Sequence, residues 1–222
     1  MKLILIASRP RSGTHWLKSA LGSCPHVAAH MEEPFHETWS GQVGFWDGKT
    51  EPTQHLLSIA EPGTEAVVFC AHPNHYEWSP DILPSLLASV THVVILYRRD
   101  LLAGFVSMEL AERNWEWPTA IGSPPSHGTI DVDLAKFREW CELVKSSLAT
   151  DKQRWSDRPC SVLCYEDLAG HYESVMRDVG ESLGIETSNA VAATEKKERR
   201  LLWEVVTNYH DARAAAAECA IP

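Results

Sequence analysis

Apolar residues along the chain gather in short continuous runs, separated by longer stretches in which they recur every three or four positions. Residues 2–7 (KLILIA), 66–71 (AVVFCA), 92–97 (HVVILY) and 161–165 (SVLCY) are rich in Val, Ile and Leu and bounded by polar or turn residues. That is the pattern of strands buried on both faces. Helical periodicity covers residues 15–22, 80–89, 101–114, 134–150, 172–183 and 201–217. Strands alternating with helices predict a three-layer α/β/α sandwich around a central parallel sheet, with ligands at the carboxyl ends of its strands. Residues 115–128, WEWPTAIGSPPSHG, have little periodicity and are expected to form a long loop of the kind that serves as a lid.

The turn after the first run carries the most chemistry. Ser8 to Leu17 reads SRPRSGTHWL, so a buried strand passes through a tight turn straight into a helix start. Such a turn aims backbone N–H groups and a positive helix terminus at one point, which suits a phosphate. The nucleotide loop GxxxxGK[ST] does not fit, because Arg11 precedes Gly13 and His15 follows Thr14. Arg11, Ser12, Gly13 and Thr14 still offer a guanidinium fork, two hydroxyls and a flexible glycine. The same residues would also read as a plain helix cap made by Ser12 or Thr14.

At 222 residues, with no linker or charge block dividing it, the chain is expected to form one domain over residues 1–222. Its formal net charge of -10 argues against nucleic-acid or anionic-membrane partners, so any anion must be captured locally. The six cysteines lack zinc-ribbon or dense disulfide spacing and are expected to be reduced. The apolar run at the start stops at Ser8 and Arg9, short of a signal-peptide core, and no segment suits a membrane span. A cytoplasmic location is the expectation.

Two downstream stretches join the first turn. The third run ends in VVILYRRDLLAGFVS, where Arg99 and Ser107 stand eight positions apart, and the fourth opens SVLCYEDLAGHYESVMRDVGESLGIE. Together with RSGTHW, these resemble the sulfotransferases that use 3'-phosphoadenosine 5'-phosphosulfate (PAPS). The resemblance implies a P-loop-like phosphosulfate-binding turn at residues 11–16, including His15. It implies that Arg99 and Ser107 bind the 3'-phosphate, that Trp16 stacks on adenine and that Tyr165 approaches it. Glu166 and Asp167 would order the turn and cap the helix. The C-terminal NYHDARAAA is similar to the family's final segment, and Lys196, Lys197, Arg199 and Arg200 lie where relatives cover the 3'-phosphate with a basic loop. The glycine pattern of that loop is missing here, and a solvated face is an equal reading.

Sulfuryl transfer moves less charge than phosphoryl transfer, so fixed cationic donors suffice and no metal is expected. His30, His36, His72 and His75 show no recognised ligand spacing. Arg11 stands at the family's lysine-or-arginine position and would stabilise charge electrostatically, because a guanidinium does not release its proton. Two residues compete as general base. His72, in VVFCAHP, resembles the histidine of the cytosolic members, although Cys70 replaces their lysine. Glu32, in HMEEPFHE, follows the first helix as the catalytic glutamate does in tyrosylprotein and many bacterial members. Glu33 and His75 remain open alternatives.

The expected function is therefore transfer of a sulfuryl group from PAPS to a hydroxyl of a small-molecule acceptor. Phe35, Trp39, Phe45, Trp46, Trp115 and Trp117 favour an apolar or aromatic acceptor. The rivals are a nucleoside or nucleotide kinase and a catalytically inactive nucleotide-binding module.

Overall fold

The apolar runs pair in parallel, and the three central ones are buried between helices while the run at 160–164 is an edge strand with Val162 46% exposed, because the crossover connections of a parallel sheet cover its centre more fully than its edges. In this computed structural model the described residues are all except 38, 39, 41, 43, 77, 78, 80, 115–127, 194–199 and 222. Strands β1 (Lys2–Ser8), β2 (Val27–Ala29), β3 (Ala66–Ala71), β4 (His92–Tyr97) and β5 (Cys160–Cys164) form a sheet of order β2-β3-β1-β4-β5. All its pairings are parallel. The helices are α1 (Thr14–Gly22), α2 (Pro52–Leu57), α3 (Ile82–Ser89), α4 (Leu101–Asn114), α5 (Leu134–Arg154), α6 (Tyr165–Gly170), α7 (Tyr172–Leu183), α8 (Leu202–Val205) and α9 (Tyr209–Glu218). A 3-10 turn, Pro73–Tyr76, follows β3.

Strand alternation sorts the core into layers. Leu3, Leu5, Val67, Phe69, Val93 and Ile95 face one side and pack with Leu56, Ile82, Leu86, Leu148 and Trp155. Ile4, Ile6, Val68, Val94 and Leu96 face the other and pack with Leu17, Leu21, Leu168, Met176 and Leu183. A third cluster joins α4, α5 and α9 through Phe105, Phe137 and Ala212. This is the three-layer α/β/α architecture that the alternating pattern predicts. Among the described residues, no helix is long and apolar enough to cross a membrane.

The structure departs from the sequence pattern in four places. β2 has only three half-buried edge residues, too few to show a period. α2 is short and is set by local chemistry, with Pro52 at its first position and Glu51 accepting from the Gln54 N–H. α6 begins at Tyr165, where the sequence suggested only a turn and a cap. The single helix expected over 201–217 is two, because Val206 leaves the helix to pair with Ile130 and Asn208 exchanges two hydrogen bonds with Val132. The β-branched run Val205, Val206, Thr207 favours that extended step. The expected lid, with Trp115 and Trp117, lies outside the described residues except for Gly128, as do Pro80 and Trp39.

Leu5 is fully buried at the centre of β1, whereas Leu143 is 48% exposed on α5. Leu5→Ala should cost about 2–5 kcal/mol, and Leu143→Ala should stay within about 0.5 kcal/mol of wild type, in urea unfolding. Equal losses at the two sites would contradict this core.

Candidate active site

β1 is the hub of the carboxyl edge. Its register places Ser8 beside Leu96 and Ala7 beside Ala71, so the turns after β1, β3 and β4 leave the sheet side by side. Tyr97 pairs with Cys164, which brings the start of α6 to the same edge. Here the chain turns from β1 into α1 through two left-handed residues, Arg11 at φ 65° and Gly13 at φ 93°. Only a glycine fits the second, since a Cβ there would lie 2.5 Å from the Tyr165 ring.

Gly13 precedes α1 with no side-chain cap, and the first turn carries no acidic residue. The first backbone bond of the helix runs from the Leu17 N–H to the Gly13 carbonyl. The N–H groups of Thr14, His15 and Trp16 therefore form the positive end of the helix. The plain cap by Ser12 or Thr14 is not what the structure shows, because neither side chain caps this end.

Arg11 and Arg98 flank this turn. Arg11 Nε donates to Ser107 Oγ at 3.0 Å, which ties the turn to α4. Burial, then repulsion from Arg98, lowers the Arg11 pKa from its ordinary value. Arg98 lies 4.7 Å above the Tyr165 ring centroid, and its Nη1 donates to the Arg11 carbonyl at 3.4 Å. Trp16 stacks on Tyr172 at 5.6 Å and meets Tyr165 edge-on at 5.9 Å. Arg99 instead faces outward and forms a two-oxygen ion pair with Asp167, at 3.0 and 2.8 Å. Glu166 accepts from the backbone N–H groups of Arg99 and Asp100 and so orders the turn into α4.

Beside the β1 turn stands a buried charged set. His72, 1% exposed at the end of β3, places Nδ1 2.8 Å from the Ser8 carbonyl and Nε2 2.8 Å from a Glu33 oxygen. The other Glu33 oxygen lies 3.5 Å from His75. With an oxygen acceptor at each ring nitrogen, an imidazolium satisfies both. Burial opposes that charge, but Cys70 and Glu33 outweigh it and hold the His72 pKa well above the ordinary value. Burial likewise opposes ionisation of Glu33, yet His72, then His75 and Lys18, hold its pKa well below the usual carboxylate range. His75 is pushed down to about 3 by burial and then by His72.

No family model matches the sequence, and no curated protein does. Solved structures resemble the chain over nearly its whole length. The sulfotransferase of Alicyclobacillus acidocaldarius superposes with a TM-score of 0.54 at 16% identity, covering 98% of this chain and 95% of that one. The sulfotransferase domain of the Synechococcus PCC 7002 olefin synthase gives 0.52 at 15%, covering 100% and 95%. The chain has the sulfotransferase fold.

Within this sulfotransferase fold, the structure gathers Arg11, Ser12, Gly13, Thr14, His15, Trp16, Ser107 and Tyr165 around one turn. Arg99 is engaged in its ion pair with Asp167. Arg200 donates to the Gly128 carbonyl, and Lys196, Lys197 and Arg199 lie outside the described residues. Glu32 is exposed, whereas its neighbour Glu33 turns inward to His72. Phe35 and Trp46 are core residues, packed edge to face. Sequence reasoning passed over Arg98 and Lys18. The readable signal for Lys18 was a lysine four residues after Thr14, beside the buried Leu17.

Three histidines here are held neutral. Burial, then Lys18, pushes His15 down to about 4. Burial pushes His30 down to about 4 against the opposing effect of its bond to the Leu56 carbonyl. His75 completes the set, at about 3. Below an unfolded value of about 6.5 the unfolded chain binds more protons at these sites, so their effect is a loss of stability as pH falls. His72 has a raised pKa, so its contribution is complete below about 6.5 and is lost as pH rises through the raised value. Glu33 acts above about 4.5 and weakens as pH falls through its depressed value. The urea midpoint should therefore drop between pH 7 and pH 5. His30→Gln, which keeps a donor for Leu56, should reduce that drop. A midpoint unchanged over this range would contradict the neutral buried histidines.

Proposed function

We propose that the chain transfers the sulfuryl group of PAPS to a hydroxyl of a small-molecule acceptor, without a metal ion. The observation that carries this reading is the uncapped, left-handed entry to α1 with Arg11 beside it, set at the same edge as an ionised Glu33. Backbone N–H groups at residues 14–16 and the Arg11 fork suit the 5'-phosphosulfate, where fixed donors replace solvent around a charge that develops on the leaving phosphate. Ser107, already bonded to Arg11, and Arg99, in an exposed ion pair that a phosphate can draw away, suit the 3'-phosphate. Trp16 and Tyr165 offer faces to adenine.

The acceptor proton goes to Glu33. His72 has no lone pair to offer while it donates from both nitrogens, whereas the Glu33 carboxylate is ionised and 21% exposed. As the acceptor oxygen forms its bond to sulfur, the bond from sulfur to the nucleotide phosphate oxygen breaks, and the hydroxyl proton passes to Glu33. His72 and His75 hold that carboxylate in place. Arg11 stabilises the departing phosphate and gives up no proton.

A hydroxyl library incubated with the protein and PAPS should show the sulfate mass gain by mass spectrometry, unchanged by EDTA. Activity lost to EDTA and restored by magnesium would overturn the reading and favour a kinase. Glu33→Gln should lower kcat by about 10²-fold or more, with little change in affinity for the desulfated product PAP. His72→Ala should cost less and should move the acid limb of the rate profile to higher pH, because Glu33 loses the partner that depresses its pKa. A Glu33→Gln enzyme with wild-type turnover, beside an inactive His72→Ala, would return the base to His72.

A further inference from the structure

Lys18 is a fully buried lysine on α1, and no step above uses it. Side chains on a helix lean toward its N-terminus, so Lys18, one turn beyond Thr14, reaches back beneath the segment that follows β2. Its Nζ donates to the Met31 carbonyl at 2.8 Å and to the Glu32 carbonyl at 3.2 Å. These are the two peptide groups immediately before Glu33. Burying an ammonium is unfavourable unless it is paired and hydrogen-bonded, and a methionine of similar length would fill the same space without that cost.

We propose that Lys18 is the positioning residue of the site: its ammonium clamps the two carbonyls at residues 31 and 32 so that the Glu33 carboxylate meets His72 and the acceptor. This inference rests on Glu33 being the base. Two consecutive carbonyls held by one donor fix the peptide planes leading into Glu33, and a rigid approach is what a base needs to reach a proton within hydrogen-bond distance. The groups that interact with the ammonium are Cys70 from β3, Glu32 and Glu33 from the loop, His15 on its own helix, His30 after β2, and His75 from the 3-10 turn. Burial lowers the Lys18 pKa, and Cys70, Glu33 and Glu32 oppose that fall. The three histidines are neutral at neutral pH. Lys18 and His72, with Arg11 from the β1 turn, are therefore the cations that act on Glu33.

The clamp and a bare distant charge predict opposite signs at His72. If Lys18 holds Glu33 against His72, Lys18→Met frees the carboxylate, and the His72 imidazolium loses the partner that raises its pKa. If Lys18 acts only as a charge, its removal leaves the His72 pKa unchanged or raises it. Histidine ring titration by NMR on the full chain should show His72 releasing its proton at lower pH in Lys18→Met than in wild type. Turnover should fall about 10²-fold, with PAP affinity changed less than threefold. Lys18→Gln, which keeps one amide donor and no charge, should show both effects at smaller size and serves if Lys18→Met does not fold.

A folded variant in which His72 titrates at or above the wild-type value would overturn the proposal. If neither variant folds, the wild-type protein decides. The carbonyl carbons of Met31 and Glu32 and the carboxyl carbon of Glu33 should shift together as Lys18 loses its proton, and silence at these carbons overturns the clamp. If no sulfuryl transfer is found in any assay, the functional reading fails, while the His72 titration still decides the role of Lys18.

Discussion

The parallel pairing of β1 between β3 and β4 is the constraint on which the rest depends. Because the three strands run the same way in close register, the residues that follow them emerge at one edge. Those residues are the Arg11 turn, His72 and Arg98. A slip of one residue would turn every β1 side chain to the opposite layer, exchanging Leu3 and Leu5 with Ile4 and Ile6. Burial on both faces thus fixes the geometry of the chemistry, and the apolar strands and the polar edge are parts of one design.

The second theme is local charge of opposite kinds in a chain of net charge -10. On one side of β1, Arg11, Arg98 and the open end of α1 make a region fit for an anion. On the other, Glu33 sits among His72, His75 and the buried Lys18. Each ionised group in the second set is matched by hydrogen bonds, which is the condition for burying charge. Gly13 permits Tyr165 to approach the turn.

Much of the fold was legible in the sequence because its three central strands are buried on both faces and read as continuous apolar runs. β3 and β4 fall at 66–71 and 92–97, as the runs predict. What escaped notice was short or set by contacts distant in sequence. β2 gains its pairing from β3, and the break between α8 and α9 follows from Ile130 and Val132. At the site, the SRPRSGTHW turn was readable from local order alone. The choice between Glu32 and Glu33 was not, because adjacent residues on a loop have no period to show which turns inward. Only the Lys18 bonds and the position of His72 after β3 settle that Glu33 faces the interior.

The central claim is that the turn into α1 and the start of α4 hold the two phosphates of one nucleotide. Isothermal titration of the protein with PAP and with adenosine 5'-phosphate tests it most directly, since the ligands differ only in the 3'-phosphate. The account predicts that PAP binds at least about tenfold more tightly, about 1.4 kcal/mol, and that Arg11→Ala weakens both. Equal affinity for the two ligands, or binding untouched by Arg11→Ala, would contradict it.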